Sequence, residues 1–461
     1  MELHARSPAQ HAGAQHAGMP TVAPPGEASR RSGNLSVTAP SPRPSTSLER
    51  WVMRAVLEAC GDPPISVIFW DGATVCTSAG PLVGALRIHD RGALRKMAFQ
   101  PIVGFGDGFA EGRIEVEGDL VAVLRAMSQA IYTVRPNGLL AKLLNRRPHN
   151  RRTHTIAASR DSVHHHYDIG NSFYKLWLDE NLLYTCAYYS QPDMTLEQAQ
   201  FAKMDHICRK IRLRPGDRVI EAGCGWGGFA LHMASRFGAT VRAFNLSHEQ
   251  VTYAREWARS RGLDSKVEFV EDDYRNVTGE YDAFVSVGML EHVGVENYPE
   301  LGRVIDRALT PAGRGLIHTI GRNAPAPLDP WIDKRIFPGA YPPALSEMMR
   351  IFEPWRLSVL DVENIRLHYS HTLEQWLERY ERAEDEIVRL FDEKFYRTWR
   401  LYLAGSIAAF DVGSLQLFQV VFARERNNEI PATRREVYVD PPPFLNGTAR
   451  SVPGANHHGD L

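Results

Sequence analysis

Residues 219–228 read Val219-Ile-Glu-Ala-Gly-Cys-Gly-Trp-Gly-Gly228. An apolar strand-like run ends in a carboxylate, Glu221, then passes through Gly223, Gly225, Gly227 and Gly228 into an apolar, helix-forming stretch. Glycines in such a turn let the backbone approach a ligand that side chains would push away. Two details choose between ligands. A carboxylate directly before the glycines suits the cationic amino-acid part of S-adenosylmethionine and would repel a pyrophosphate. The next strand ends in Asn245, so the acidic ribose reader that a nicotinamide site places about 20 residues on is missing. Another nucleotide, or a turn that is purely structural, is the alternative.

Working outward, Thr195-Leu-Glu-Gln198 is a capping box that predicts a helix, residues 218–222 a strand, and the residues after Gly228 a second helix. Strand 240–245, a helix opened by Ser247-His-Glu-Gln250, strands 267–270 and 283–287, a helix from Tyr298 and strand 314–319 continue the alternation. This predicts an α/β fold with a parallel, doubly wound sheet covered on both faces. A charged amphipathic helix over 372–390 and a late strand over 415–422 complete the pattern, the strand suiting an antiparallel edge. Asp272, Asp273 and Tyr274 follow the third strand, where an adenine would fall; otherwise they form a plain surface loop.

Residues 1–46 are rich in Ala, Pro, Ser, Gly and His without apolar periodicity and read as a disordered tail. Residues 47–140 read as a smaller α+β domain. It has a helix from Leu48, strands over 65–70 and 73–76 around the hairpin pair Asp71-Gly72, strand-like runs at 84–88 and 101–105, and a helix capped by Asp119. Residues 141–160 form a basic linker with Arg146, Arg147, Arg151 and Arg152. It is either a solvated segment or a patch for anionic head groups, where each cation near a membrane surface adds about 1 kcal/mol. The catalytic domain spans 161–435, and 436–461 form a flexible Pro- and Gly-rich tail.

In the 461 residues, 53 Lys and Arg face 54 Asp and Glu, so no global field draws the chain to nucleic acid or an anionic membrane. The five cysteines lack zinc or disulfide spacing, which suits a reducing, cytoplasmic interior. No apolar run approaches the roughly 20 residues of a membrane span, so a membrane substrate would be met at the surface. His164, His165 and His166 are adjacent, and neighbours on one segment do not face one metal site.

Ten segments then occur in order. They are Glu115-Val-Glu-Gly-Asp119, His165-His-Tyr-Asp-Ile-Gly-Asn171, Tyr184-Thr-Cys-Ala-Tyr188, the 221–228 turn, Asn245-Leu-Ser247 with Gln250, Asp273-Tyr-Arg275, Ser286-Val-Gly-Met-Leu-Glu-His-Val-Gly294, Leu316-Ile-His-Thr-Ile-Gly321, His368-Tyr369 and Gln416-Leu-Phe-Gln-Val-Val421. Their order and spacing resemble the cyclopropane-fatty-acyl-phospholipid synthases, the family that includes the mycolic acid cyclopropane synthases. The resemblance implies a class I S-adenosylmethionine-dependent methyltransferase domain, Rossmann-like, with a seven-stranded, mostly parallel sheet and a smaller N-terminal domain that presents lipid. It implies transfer of a methylene unit to the double bond of an unsaturated phospholipid acyl chain, by an enzyme peripherally associated with the inner face of the membrane; a homodimer is left open.

For the cofactor, the resemblance implies Tyr184, Thr185, Glu221, Gly223, Gly225, Gly227, Asn245, Leu246, Gln250, Asp273, Tyr274 and Arg275. For a bicarbonate ion acting as base it implies Cys186, Glu291, His318, the backbone at Ile320, and Tyr369. An alkene is a poor nucleophile, so the site must align it with the sulfonium methyl, which can supply roughly 7 to 11 kcal/mol. A buried anion would stabilise the resulting cation and accept its proton, with Tyr188 offering a ring face.

Each residue also has a plainer reading: Cys186 as a small buried hydrophobe, Glu291-His292 as a helix cap with a solvated His, and His318 as a core histidine. Ser406 stands where many family members carry a cysteine, so such a thiol is not essential if this chain is active. Rival functions are methyl branching of the acyl chain, a non-catalytic lipid-binding protein and a small-molecule methyltransferase.

Overall fold

A computed structural model describes residues 43–133, 169–429, 431 and 433–438. The disordered-tail reading of 1–42, the basic linker, His164 to His166 and the end of the C-terminal tail lie outside the described residues.

Two sheets organise the chain. The smaller is built from β1 (Ile65–Ile68), β2 (Thr74–Val75), β3 (Gly84–Ile88) and β4 (Ile114–Glu117) in the order β2-β1-β3-β4. The Asp71-Gly72 turn closes the antiparallel β1–β2 pair, with Val67 opposite Val75. Helices Ser47–Ala59, Arg91–Phe99, Pro101–Ala110 and Leu120–Thr133 accompany it. Asp119 caps the last, accepting from the Ala122 N–H at 2.6 Å.

The strand expected at 101–105 is a helix instead, opened by Pro101 at its first turn. Its alternating glycines mimic a strand period, but they are sites of close helix packing. A Cβ at Gly104 would lie 2.5 Å from the backbone of Lys96 and Met97, and one at Gly106 would lie 2.4 Å from the Trp331 ring.

The larger sheet contains β5 (Arg218–Ala222), β6 (Thr240–Asn245), β7 (Val267–Glu271), β8 (Tyr281–Val287), β9 (Leu309–Gly321), β10 (Leu357–Asn364) and β11 (Gln416–Arg424). The order is β10-β11-β9-β8-β5-β6-β7, with β9-β8-β5-β6-β7 all parallel. This is the Rossmann-like architecture expected of a class I methyltransferase.

The 415–422 strand is not at the edge. β11 inserts antiparallel between β9 and β10, and β10 is the edge. The burial explains the difference: β11 is buried at every position before Arg424, as an interior strand must be, whereas β10 is buried only at Leu357. The helix expected over 372–390 starts earlier and breaks at Ala383 into Arg366–Arg382 and Glu384–Leu390.

Helices Leu196–Lys210, Gly228–Phe237 and His248–Ser260 cover one face of the large sheet, and Tyr298–Ala308 and Leu345–Phe352 the other. The small sheet joins a third apolar core with helices Arg366–Arg382 and Glu393–Asp411. Arg335 grips Asp107 through two bonds at 2.8 and 2.9 Å, and Arg397 donates to the Phe109 carbonyl at 2.7 Å. The small sheet is thereby fixed over the carboxyl-end loops of the large one.

Candidate active site

Two cavities share a wall. The first, of about 160 Å³, sits at the carboxyl ends of β5, β6 and β8. Every residue expected to hold the cofactor lines it except Gly227. Gly227 has φ 87°, and a Cβ there would lie 2.5 Å from the Phe269 ring and 2.9 Å from Ala254. It seats the turn against the neighbouring helix and strand rather than facing a ligand.

Glu221, the penultimate residue of β5, is 2% exposed, and its Oε2 is buried with no hydrogen-bond partner. Burial pushes its carboxyl up to about 8 against the pull of Lys203. Asn245 Nδ2 donates to the Gly225 carbonyl at 3.1 Å and to Gln250 Oε1 at 2.8 Å, tying the end of β6 to the glycine turn. Gln250 Nε2 is left buried and without a partner. Asp273 is committed internally: it accepts from the Arg275 guanidinium through two bonds at 2.8 Å and from the Arg275 N–H at 2.9 Å. It shapes the turn that brings Tyr274 to the lining.

An unpartnered carboxylate and an unpartnered amide donor beside a glycine turn fit a cationic nucleoside amino acid such as S-adenosylmethionine.

The second cavity, of about 460 Å³, is lined mainly by apolar side chains. Cys186, Glu291, His318, Ile320 and Tyr369 all line it, as does Ser406. Tyr184, Thr185, Gly288 and His292 line both cavities and form the shared wall.

Glu291 lies in the short turn after β8, and its Oε1 accepts from the Ile320 N–H at 2.6 Å. Of the Ile320 backbone, expected to meet the bicarbonate, the N–H is thus bonded to Glu291. Glu291 Oε2 is buried without a partner. Burial raises the carboxyl to about 7 against the backbone N–H groups of Glu291 and Ile320 and the Thr319 hydroxyl. His318 Nδ1 faces Gln419 Nε2 at 3.1 Å. With the amide donating, the ring proton sits on Nε2, which is buried with no partner. Burial holds the imidazole well below its ordinary range, so it is a neutral donor.

Cys186 is fully buried, its thiol pushed up by desolvation, so it is not a thiolate nucleophile. Tyr369 packs against Phe410, ring centroids 4.7 Å apart. An unpartnered acceptor and an unpartnered donor in one mainly apolar cavity fit a small oxyanion carrying its own proton, such as bicarbonate.

Tyr188 does not face this cavity. Its ring is stacked between His206 at 4.1 Å and His368 at 4.7 Å, so neither face is open to a cation. Two features escaped the sequence reading. Lys203 is buried in the cofactor wall, and its signal is a cation in the apolar stripe of its helix, between Ala199 and Ile207. The small sheet's helices also supply much of the second cavity through Val56, Ile102, Phe105, Leu124, Met127 and Ile131. No local pattern marks those positions.

The family model described as mycolic acid cyclopropane synthetase matches residues 154–420, and a second, described as a domain of unknown function, matches 52–134. A probable fatty acid methyltransferase from Pseudomonas putida is 35% identical over 389 residues, covering 81% of this chain and 96% of that protein. The cyclopropane-fatty-acyl-phospholipid synthase of Escherichia coli K12 is 41% identical over 270 residues, 58% of this chain and 69% of its own. Among solved structures, a mycolic acid cyclopropane synthase complexed with SAH and CTAB superposes with TM-score 0.55 at 26% identity, covering 57% of this chain and 98% of that one. The chain belongs to the mycolic acid cyclopropane synthetase family of S-adenosylmethionine-dependent methyltransferases.

Proposed function

We propose that the chain is a cyclopropane-fatty-acyl-phospholipid synthase. It transfers a methylene unit to the double bond of an unsaturated phospholipid acyl chain, with bicarbonate as base. The observation that carries this reading is the pairing of Glu291 Oε2 and His318 Nε2, both buried and unpartnered, in an apolar cavity that shares a wall with the cofactor site.

Bound in the first cavity, S-adenosylmethionine supplies an electrophilic methyl carbon on a cationic sulfur. Glu221 and Gln250 hold its amino-acid and ribose parts, and the wall of Tyr184, Thr185 and Gly288 sets the distance to the second cavity. There the apolar lining excludes water and extends the acyl chain. His318 Nε2 would donate to the bicarbonate, and Glu291 Oε2 would accept from its hydroxyl. Tyr369 packs beside them, and Cys186 closes the wall as a neutral thiol. A bicarbonate ion held by these residues would supply a base and a negative charge beside the acyl carbon that becomes cationic.

The small N-terminal sheet and its helices form the lipid-presenting part. The cavity lining reaches Ile131 and Tyr132, 45% and 56% exposed, while Leu48, Trp51 and Phe99 also leave apolar surface in water on these helices. No helix among the described residues is long and apolar enough to cross a membrane. These apolar side chains support docking at a bilayer surface, with the acyl tail drawn in past Ile131.

The test is mass spectrometry of lipids from cells expressing the chain. Unsaturated acyl groups should gain the mass of one CH2 with no double bond remaining; unchanged lipids would sink the proposal. A gain of CH2 with a retained double bond would select the second reading, methylation to a branched or methylene chain, which the fatty acid methyltransferase relative favours.

A further inference from the structure

The helix Leu196–Lys210 turns a cation inward. Lys203 is 1% exposed and lines the cofactor cavity, where its ammonium donates to Thr185 Oγ1 at 2.8 Å. Three residues earlier, Gln200 Nε2 donates to the carbonyls of Thr185 at 2.8 Å and Leu183 at 3.2 Å. The helix thus grips segment 183–185 from behind and sets a positive charge in the wall.

Burying an ammonium is unfavourable unless it is paired. Among the described residues Lys203 forms no ion pair within 4 Å, and its hydrogen bond goes to a neutral hydroxyl. An ammonium has three donors, so this arrangement leaves donors over. Because Thr185 Oγ1 accepts from Lys203, its own proton is free to donate onward. The same cavity presents an acidic group, Glu221, whose Oε2 is buried without a partner. A buried ammonium and a buried acidic group facing a single cavity match a ligand that carries a carboxylate and an ammonium close together, since a ligand ammonium beside Glu221 would hold that carboxyl in its ionised form.

We propose that Lys203, with the Thr185 hydroxyl, binds the α-carboxylate of S-adenosylmethionine while Glu221 takes its α-ammonium. Lys203 is therefore a cofactor-selecting residue. The inference rests on the S-adenosylmethionine reading of this cavity. Desolvation draws the lysine down to about 8, which still leaves it mostly charged at neutral pH, and the fields of Asp179 and Glu221 support that charge.

The experiment is calorimetric titration of the full chain with S-adenosylmethionine and with its decarboxylated analogue. The wild type should prefer the carboxylated ligand by about ten- to a hundred-fold, the range for a charge-assisted contact. Lys203→Met should abolish that preference by weakening the carboxylated ligand, leaving the analogue within about threefold. Lys203→Gln, which keeps a donor without the charge, decides the matter if the methionine variant does not melt cooperatively. A folded variant that keeps the wild-type preference, or weakens both ligands equally, overturns the inference while the cofactor reading stands. A wild type that binds neither ligand overturns both.

Discussion

The two cavities are adjacent, yet they are built in opposite ways. The cofactor cavity is assembled chiefly from consecutive strand ends, with its glycine turn and Glu221 inside ten residues. The second cavity, the proposed acyl site, is assembled from side chains as far apart in sequence as Val56 and Leu417, and most of them are simple apolar residues. On the proposed reading, the first would work by setting charged groups against a ligand and the second by keeping water from two polar atoms. A local motif can specify charge placement, whereas dryness is a property of the whole assembly.

If the division is right, damage to one cavity should leave the other working. Glu291→Ala gives the largest separation. It removes the carboxylate from the dry cavity and should lower turnover by about a hundred- to ten-thousand-fold, the range for a positioned acid-base group. Cofactor affinity, measured by titration, should stay within about threefold. Equal loss of both would place Glu291 in the cofactor site.

Met127→Trp comes next. It fills the acyl cavity from the Leu120–Thr133 helix, and long-chain turnover should fall by about tenfold or more through misplacement of the double bond. A shorter unsaturated chain should suffer less. If long and short chains fall alike, this cavity does not hold the acyl chain.

The same contrast sets what was legible in the sequence. Strands at 218–222 and 240–245 and the helix at 298 are read at their true starts because the strands follow the turn glycines Gly216 and Gly238 and the helix has Pro299 in its first turn. The 101–105 stretch misled because Gly104, Gly106 and Gly108 alternate like a strand, and only the distant Lys96, Trp331 and Ile114 reveal them as packing sites. The edge strand β10 was missed for a related reason: its Asp361 and Glu363 pair with Arg434, His206 and Lys210, partners that no local window contains. Motif order brought Cys186, Glu291, His318 and Tyr369 to one cavity. It could not tell that the Ile320 N–H is taken by Glu291, or that Tyr188 is sandwiched, because both are tertiary facts.

A subtler separation concerns pH. Glu291 has a folded value of about 7 against an ordinary 4.5, so between those values the folded chain holds a proton that the unfolded chain releases. Raising pH through that window therefore favours unfolding; the stabilising contribution is complete below 4.5 and lost above about 7. Glu291→Gln copies the protonated form and retains an acceptor for the Ile320 N–H. In bicarbonate-free buffer the variant should gain stability over wild type by about 1 to 3 kcal/mol between pH 4.5 and 7, with no further divergence from this group above that. Parallel denaturation curves across the window would mean that Oε2 is solvated, and the dry-cavity argument would fail with it.

The smallest expected effect tests how far the charged cavity depends on its frame rather than on its charges. Asn245 ties the glycine turn to Gln250 and keeps the Gln250 Nε2 donor aimed without a protein partner. Asn245→Ala removes three neutral hydrogen bonds, the two its Nδ2 donates to Gly225 and Gln250 and the one its Oδ1 accepts from the Ser247 N–H at 3.3 Å, each worth about 1 kcal/mol. Because all three serve alignment, the loss should appear as roughly three- to tenfold weaker cofactor binding. Gln250→Ala, which removes the donor itself, should weaken binding at least as much, and the double variant should be less than additive because the two residues share one bond. Full additivity would mean that Asn245 meets the cofactor directly, making it a ligand-binding side chain and not part of the frame.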